Sequence, residues 1–471
     1  LATVLPRALS IVLVPLYVIV LGKEQYGVYA SLMAFLILGN VALSYGMETA
    51  FFRFINKEEN QKKIVQSTAL SSLSISTLLF LIVALFFSQD ISGFLDFKRE
   101  FIVYGIIILS LDAMAVLPFV WFRANNEPKR YATIKILNVC INLGFNLFFF
   151  LLLPELVKEN MDSIWNSIYL SDDQVAYVFI ANIIASGFTL LLLSPLYLKI
   201  GFGINRRIWK QMIGYAFPVL IAGIAFSINE AFDKILLKYL LPESIADAEV
   251  GVYAACYKLG VFLTLFATAF RLGIEPFFFN HSKHKDAKEN YATITKYFTI
   301  LGSMILLFVV VYIDIFKRIL IPESSFWEAL IIVPVILLAN LCLGIYHNLS
   351  VWYKVTDRTR FGALISSIGA VITLVLNFIL IPIISYKGSA LATLAAYGSM
   401  MVISYLLGRK YYAVPYDLKK IGAYLLLSVV FSVFSFYVFG GDLWIGSALL
   451  LLFMGLVYQF EKKELKLILK R

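Results

Sequence analysis

Apolar residues in this chain do not alternate with polar ones as in a half-buried strand, nor do they keep to one narrow helical stripe. They run on for about twenty residues at a time, broken by short charged segments. About twenty apolar residues in a helix span a bilayer core, and on that window the sequence predicts fourteen spans. Six lie in the first half, at 1–21, 27–51, 65–88, 101–122, 132–153 and 174–198. Six more lie at 212–241, 250–273, 294–315, 328–351, 362–384 and 388–408, and two close the chain at 419–440 and 443–460. Trp121, Tyr131, Trp209 and Trp352 stand at span ends, where amphipathic rings anchor at the membrane interface.

Composition agrees: 61% of residues are hydrophobic and 15% charged, against about 25% charged in a soluble domain. A soluble fold is excluded, and an all-α integral membrane protein is expected. The net charge of +10 is topological. Of 40 Lys and Arg, 29 fall in the connections after even-numbered spans and in the C-terminal tail, 9 fall in the odd connections, and Arg7 and Lys258 lie within spans. The positive-inside rule therefore puts both termini in the cytoplasm. The basic residues face anionic lipid, and no nucleic-acid partner is expected. Cys140, Cys256 and Cys342 lie in apolar runs without CxxC spacing, so neither a disulfide framework nor a zinc site is expected. No cofactor is implied. The chain opens at Leu1 inside an apolar stretch, from which residues preceding it are expected.

The chain also repeats itself. Gly27-Val28-Tyr29-Ala30 returns as Gly251-Val252-Tyr253-Ala254 at an offset of 224. Trp121-Phe122-Arg123 returns as Trp352-Tyr353-Lys354 at 231, Arg130-Tyr131 as Arg360-Phe361 at 230, and Asn146 as Asn377 at 231. The expected organisation is a six-helix lobe over 1–205, a second over 206–410, and a final helix pair with a basic tail over 411–471. Because six is even, both repeats enter from the same side. Such repeats are related by a pseudo-twofold along the membrane normal, with a binding cavity expected between them.

Ionisable groups inside spans are costly and mark cavities or partners. Arg7 has about 20 Å of helix beyond it, so a cavity role competes with snorkelling to the inner interface. Lys258 lies about 10 Å below the outer surface by the same rise, and a cavity role is favoured. Asp112 sits mid-span, beyond the reach of snorkelling, as a cavity or coupling residue or as a hydrogen-bonded Asp near Pro118. Glu230, Asp233 and Lys234 occupy the outer half of span 7, with Glu230 and Lys234 spaced i, i+4 as an intrahelical pair. Asp112, Glu230 and Asp233 are thus the coupling candidates. Glu48 and Glu275, each followed by a Phe pair, lie near cytoplasmic ends, and Arg271 is the expected partner of Glu275. His281 and His284 sit in a Lys-rich loop without a carboxylate pair, so no metal site is read there, and His347 reads as a polar packing residue.

Two six-span lobes with a final pair resemble the multidrug/oligosaccharidyl-lipid/polysaccharide exporter superfamily. The local motifs resemble its polysaccharide-exporter branch, the flippases for O-antigen and capsule repeat units. They are Leu5-Pro6-Arg7, Pro15-Leu16-Tyr17, Leu21-Gly22 and Tyr26-Gly27-Val28-Tyr29; Arg123-Ala124-Asn125 with Arg130-Tyr131; Asp233-Lys234; and Val250-Gly251-Val252-Tyr253 with Tyr257-Lys258-Leu259. The resemblance implies an oligosaccharide on an undecaprenyl-type diphosphate lipid, moved from the inner to the outer leaflet of a bacterial cytoplasmic membrane. It also implies other surface-polysaccharide assembly proteins as partners. With such a substrate, Arg7 and Lys258 become candidates for binding the diphosphate. Two readings compete with it. A multidrug exporter of the same fold would want acidic cation sites and fewer basic residues inside spans. A polysaccharide polymerase would want a large outer loop, and the longest outer connection, Pro154 to Asp173, holds no catalytic constellation.

Overall fold

The computed structural model describes residues 11–57, 62–159, 164–171, 173–282 and 284–469, with side chains to 464. Every regular element among them is helical. By contact the chain divides into two compact units, Leu1–Lys238 and Tyr239–Arg471.

The first unit holds α1 (Leu13–Ser44), α2 (Met47–Lys57), α3 (Lys62–Phe86), α4 (Ser88–Leu95), α5 (Arg99–Ala124), α6 (Pro128–Leu147), α7 (Leu153–Glu159), α8 (Val175–Ile200) and α9 (Arg206–Leu240). α9 belongs with this unit through packing. Met212 and Ala216 are buried with Met47, Ala50 and Phe51, and Ile235 is buried with Ala34. Gly46, at φ +72, lets α9 approach: a Cβ there would stand 2.5 Å from the Ala216 carbonyl oxygen. The second unit holds α10 (Glu243–Tyr257), α11 (Val261–Asn280), α12 (Ala287–Val311), α13 (Ile313–Leu320), α14 (Val333–Leu349), α15 (Val351–Val355), α16 (Arg360–Ile384), α17 (Tyr386–Tyr411), α18 (Leu418–Val433) and α19 (Leu443–Leu469).

Thirteen helices among the described residues are long and apolar enough to cross a membrane. The difference from fourteen arises at the start. Runs 1–21 and 27–51 both fall on the Leu13–Asn56 segment, which breaks at Gly22 (φ 66), and residues 1–10 lie outside the described part. Outward-facing side chains are apolar: Leu79, Ile82 and Phe86 on one face of α3 are 61%, 67% and 80% exposed. In water that face would be a liability, whereas in a bilayer it meets lipid. Trp352 is not the interfacial anchor expected. It is 1% exposed, packed over Gly408, and donates from Nε1 to the Ser404 carbonyl at 3.1 Å.

The repeat extends to backbone detail. After Trp121-Phe122-Arg123 the helix ends with Asn126 at φ 54 and the Glu127 N–H bonded to the Phe122 carbonyl at 2.8 Å. After Trp352-Tyr353-Lys354 it ends with Asp357 at φ 55 and Arg358 N–H bonded to the Tyr353 carbonyl at 2.8 Å. Both are left-handed caps that satisfy the last carbonyls. Asn146 and Asn377 each donate from Nδ2 to the carbonyl four residues back, at 2.7 Å. Each accepts at Oδ1 from another helix, from Tyr17 at 2.8 Å and Ser389 at 2.5 Å.

Candidate functional site

Four helical stripes of the first unit converge on one cavity of about 450 Å³. α1 and α2 contribute Asn40, Ser44 and Glu48; α5 contributes Asp112, Ala115, Val116, Phe119 and Arg123; α6 contributes Tyr131, Lys135 and Asn138; α8 contributes Asn182, Ser186 and Thr189. Residues three and four apart share a helix face, so each set is one continuous line. Asp112 and Arg123 stand eleven residues apart on α5, about 16 Å by helical rise. The cavity is therefore a shaft.

Its two ends differ. At the mouth, Arg123 Nη1 meets Glu48 Oε1 at 2.8 Å, and both side chains are about half exposed. At the inner end, Ser186 Oγ donates to Asp112 Oδ1 at 2.8 Å, and Asn138 Nδ2 donates to Thr189 Oγ1 at 3.0 Å. One turn further along each helix the lining becomes apolar. Leu36, Leu109 and Phe179 replace Asn40, Asp112 and Asn182 and line a separate apolar pocket. Gly39 lies at the change of polarity, where a Cβ would come 2.8 Å from Leu109 Cδ1. There α1 and α5 pack closely. Polar groups so placed can hold water or an ion against a carboxylate.

Lys135 is not singled out by the sequence, where it reads as a charge at the end of a span. Its Nζ lies 4.2 Å from the Phe119 ring centroid, inside the shaft. The signal is present all the same: Lys135, Asn138, Asn142 and Asn146 form a polar stripe along one face of an otherwise apolar run.

The other candidates are dispersed. Arg7 lies outside the described residues. Lys258 opens a 3-10 turn between α10 and α11 and is exposed. Glu230 is exposed on α9, whereas Asp233 is buried, with Lys234 Nζ 3.0 Å from its Oδ1. Glu275 pairs with Lys354 at 2.6 Å rather than with Arg271, although Arg271 lines the same pocket with His347. This pair repeats Glu48–Arg123 in the second unit: an acid near the end of the second span of the repeat meets the base that follows the Trp-aromatic dipeptide. His281 stacks on Phe277, and its ring centroid lies 5.0 Å from that of His284. Among the described residues no three His, Cys, Asp or Glu side chains converge as metal ligands would.

The family model of the polysaccharide biosynthesis proteins matches residues 1–271. No curated protein sequence matches the chain. Solved structures share the fold. The lipid II flippase MurJ in an inward closed conformation superposes with a TM-score of 0.66 at 17% identity, over 97% of this chain and 98% of that one. An inward-facing multidrug resistance MATE family transporter of the MOP superfamily gives 0.63 at 12% identity, over 88% and 95%. A MOP superfamily transporter from Pyrococcus furiosus, described as having a binding pocket of reverse polarity, gives 0.53 at 13%, over 90% and 96%.

Proposed function

This chain belongs to the polysaccharide biosynthesis protein family, and on that premise we propose that it is a flippase, not an enzyme. It moves undecaprenyl-diphosphate-linked oligosaccharide repeat units from the cytoplasmic to the outer leaflet of a bacterial cytoplasmic membrane, by alternating access, for surface polysaccharide such as O-antigen or capsule. Both termini face the cytoplasm. Its partners are the lipid-linked substrate, the bilayer and the assembly proteins that supply and consume the repeat unit. The observation that carries this reading beyond the family is the polar shaft in the first unit, ending at Asp112. A carrier needs a polar recess that one side can reach while the other is sealed. The change from Asn40, Asp112 and Asn182 to Leu36, Leu109 and Phe179 is what supports this reading.

Asp112 is the coupling carboxylate in this proposal. A carboxylate in a recess of low dielectric binds a proton or a cation and releases it when re-exposed to water. Asp233, already held by Lys234, is the weaker candidate. Arg7 and Lys258 are assigned to the diphosphate, because an unpaired diphosphate in hydrocarbon would carry a prohibitive desolvation cost.

The same acidic recess and the likeness to a MATE transporter favour one second reading, a cation-coupled multidrug exporter. Deleting the gene and restoring it separates the two. A flippase deletion stops surface polysaccharide display and accumulates lipid-linked repeat units on the inner leaflet. Unchanged display with increased sensitivity to cationic drugs would overturn the flippase reading.

A further inference from the structure

We propose that Lys135 is a tethered counter-cation, which takes the place of the coupling ion at Asp112 whenever that ion has left. The proposal rests on the assignment of Asp112 to coupling, and concerns how the shaft keeps its charge balanced through a cycle.

The geometry places the ammonium between two carboxylates. Phe119, over which Lys135 Nζ lies at 4.2 Å, stands seven residues beyond Asp112 on α5 and four before Arg123. By helical rise that is about 10 Å and 6 Å. Among the described residues Lys135 has no carboxylate at ion-pair distance, while Glu48 at the mouth is already held by Arg123 at 2.8 Å. The ammonium rests on an aromatic face, a weaker hold than an ion pair. A direct ion pair with Asp112 in so enclosed a site would be stronger. Four rotatable bonds let the amine reach along the shaft without moving α6. The other groups facing Asp112 are neutral, namely Asn40 and Ser44 from α1, Asn138 from α6, and Asn182 and Ser186 from α8. Tyr131 and the Glu48–Arg123 pair lie toward the mouth. Among the described residues, Lys135 is thus the one cation lining the shaft that is not already engaged by a carboxylate.

The internal repeat gives an independent observation. At the offset of 231 that aligns Arg123 with Lys354 and Asn146 with Asn377, Asp112 falls on Leu343 and Lys135 on Ser366. The flanking frame is kept in both repeats, yet the acid and the base occur together in the first and are both replaced in the second. The second repeat, whose interior is filled by Tyr346 and His347, keeps neither charge, so the carboxylate and the cation both go with the open recess.

In the cycle that follows, an ion entering from the mouth displaces the ammonium, which withdraws to Phe119. When the ion leaves, the ammonium returns and Asp112 is not left as a lone anion in the shaft. When the ion is a proton, an O–H bond on Asp112 forms as it arrives and breaks as it leaves, with the proton passing to and from water at the mouth; Lys135 stays an ammonium throughout.

The test is an infrared titration of the purified full chain between pH 4 and 9, following the carboxylic C=O band that D112N removes. Without the ammonium Asp112 holds its proton to higher pH, so K135M should raise the band's midpoint by on the order of one pH unit, a tenfold tighter proton. K135R should leave it near wild type. In proteoliposomes K135M should move the pH optimum of substrate flipping upward, and K135R should not. A K135M midpoint equal to wild type would overturn the proposal, whether or not flipping is lost. The titration does not depend on the substrate, so a protein that flips no oligosaccharide can still pass or fail it.

Discussion

Removing the Glu461 carboxylate should loosen the final helix pair from the rest of the second unit, by an amount that a neighbouring acid sets as the control. Glu461 is fully buried on α19. It accepts from Lys296 Nζ on α12 at 2.8 Å and from Tyr424 on α18 at 2.8 Å, and lies 2.9 Å from Lys420 Nζ. Glu464 also touches Lys296 but is 45% exposed. Breaking a buried pair by deleting one partner costs about 3–5 kcal/mol, because the other charge remains. Lys296 is only 6% exposed but keeps Glu464, so E461A should fall at the low end, about 3 kcal/mol. E464A removes a half-exposed partner and should cost about 1 kcal/mol or less. K296M/E461Q removes the buried cation and leaves a neutral amide oxygen to accept from Tyr424, so it should recover most of the loss. Thermal unfolding in detergent, with hydrogen exchange on α18 and α19, reads both the size and the place of the effect. Equal melting points for E461A and E464A would refute the reasoning, as would exchange that rises elsewhere but not in these two helices.

Three further outcomes are expected. In a variant lacking Cys140, Cys256 and Cys342, single cysteines in the 281–290 loop should be protected from impermeant reagents in intact cells, and those at 160–170 should react; the reverse pattern would invert the topology. Arg7→Ala and Lys258→Ala should lose most surface polysaccharide display at normal protein level, while Arg7→Lys and Lys258→Arg keep part of it; full display by both alanine variants would make these cations structural. Ala115→Tyr should fill the shaft between Asp112 and Arg123 and lower flipping at least about tenfold with little change in melting temperature, since the side chain enters an existing cavity rather than a packed core. Wild-type flipping by a well-expressed variant would remove the shaft from the transport path.

The fold was legible because its determinants are linear. A run of twenty apolar residues needs no partner to declare itself, and Trp121 and Trp352 with their neighbours carry the repeat in plain sequence. The site was legible only in part. Asp112 stood out because nothing within snorkelling reach of mid-span could solvate it. Lys135 did not, because a base in the first turns of a span looks the same whether it reaches outward to water or inward to a shaft, and only the packing of α5 on α6 decides. The partner of Glu275 was assigned to Arg271 by local i, i+4 spacing, whereas the structure pairs it with Lys354, 79 residues away. The repeat already held that answer, since Glu48 and Arg123 have the same two counterparts. Trp352 was placed at the interface by residue type, and its burial follows from Gly408, a contact no local pattern reports.

What separates the two units is the interior inside a shared frame. Along α5 the shaft is lined by Asp112, Ala115, Val116, Phe119 and Arg123. At the offset of 231 these positions hold Leu343, Tyr346, His347, Ser350 and Lys354. The terminal base and its acidic partner survive, so the ion pair at the mouth survives. The two small residues, Ala115 and Val116, become Tyr346 and His347, and the charged terminus becomes leucine. Tyr346 then bonds with Tyr353 at 3.2 Å, and the pocket beside Lys354 and Glu275 shrinks to about 10 Å³. A duplicated frame tolerates this because caps, helix ends and mouth pairs fix the backbone, while the side chains between them only fill or leave open the space it encloses. One copy can therefore keep an open, charged recess while the other closes it with aromatic bulk. The asymmetry is local to a few positions on one helix, and those positions, rather than the ion pairs common to both repeats, are where the ion dependence of this carrier should be sought.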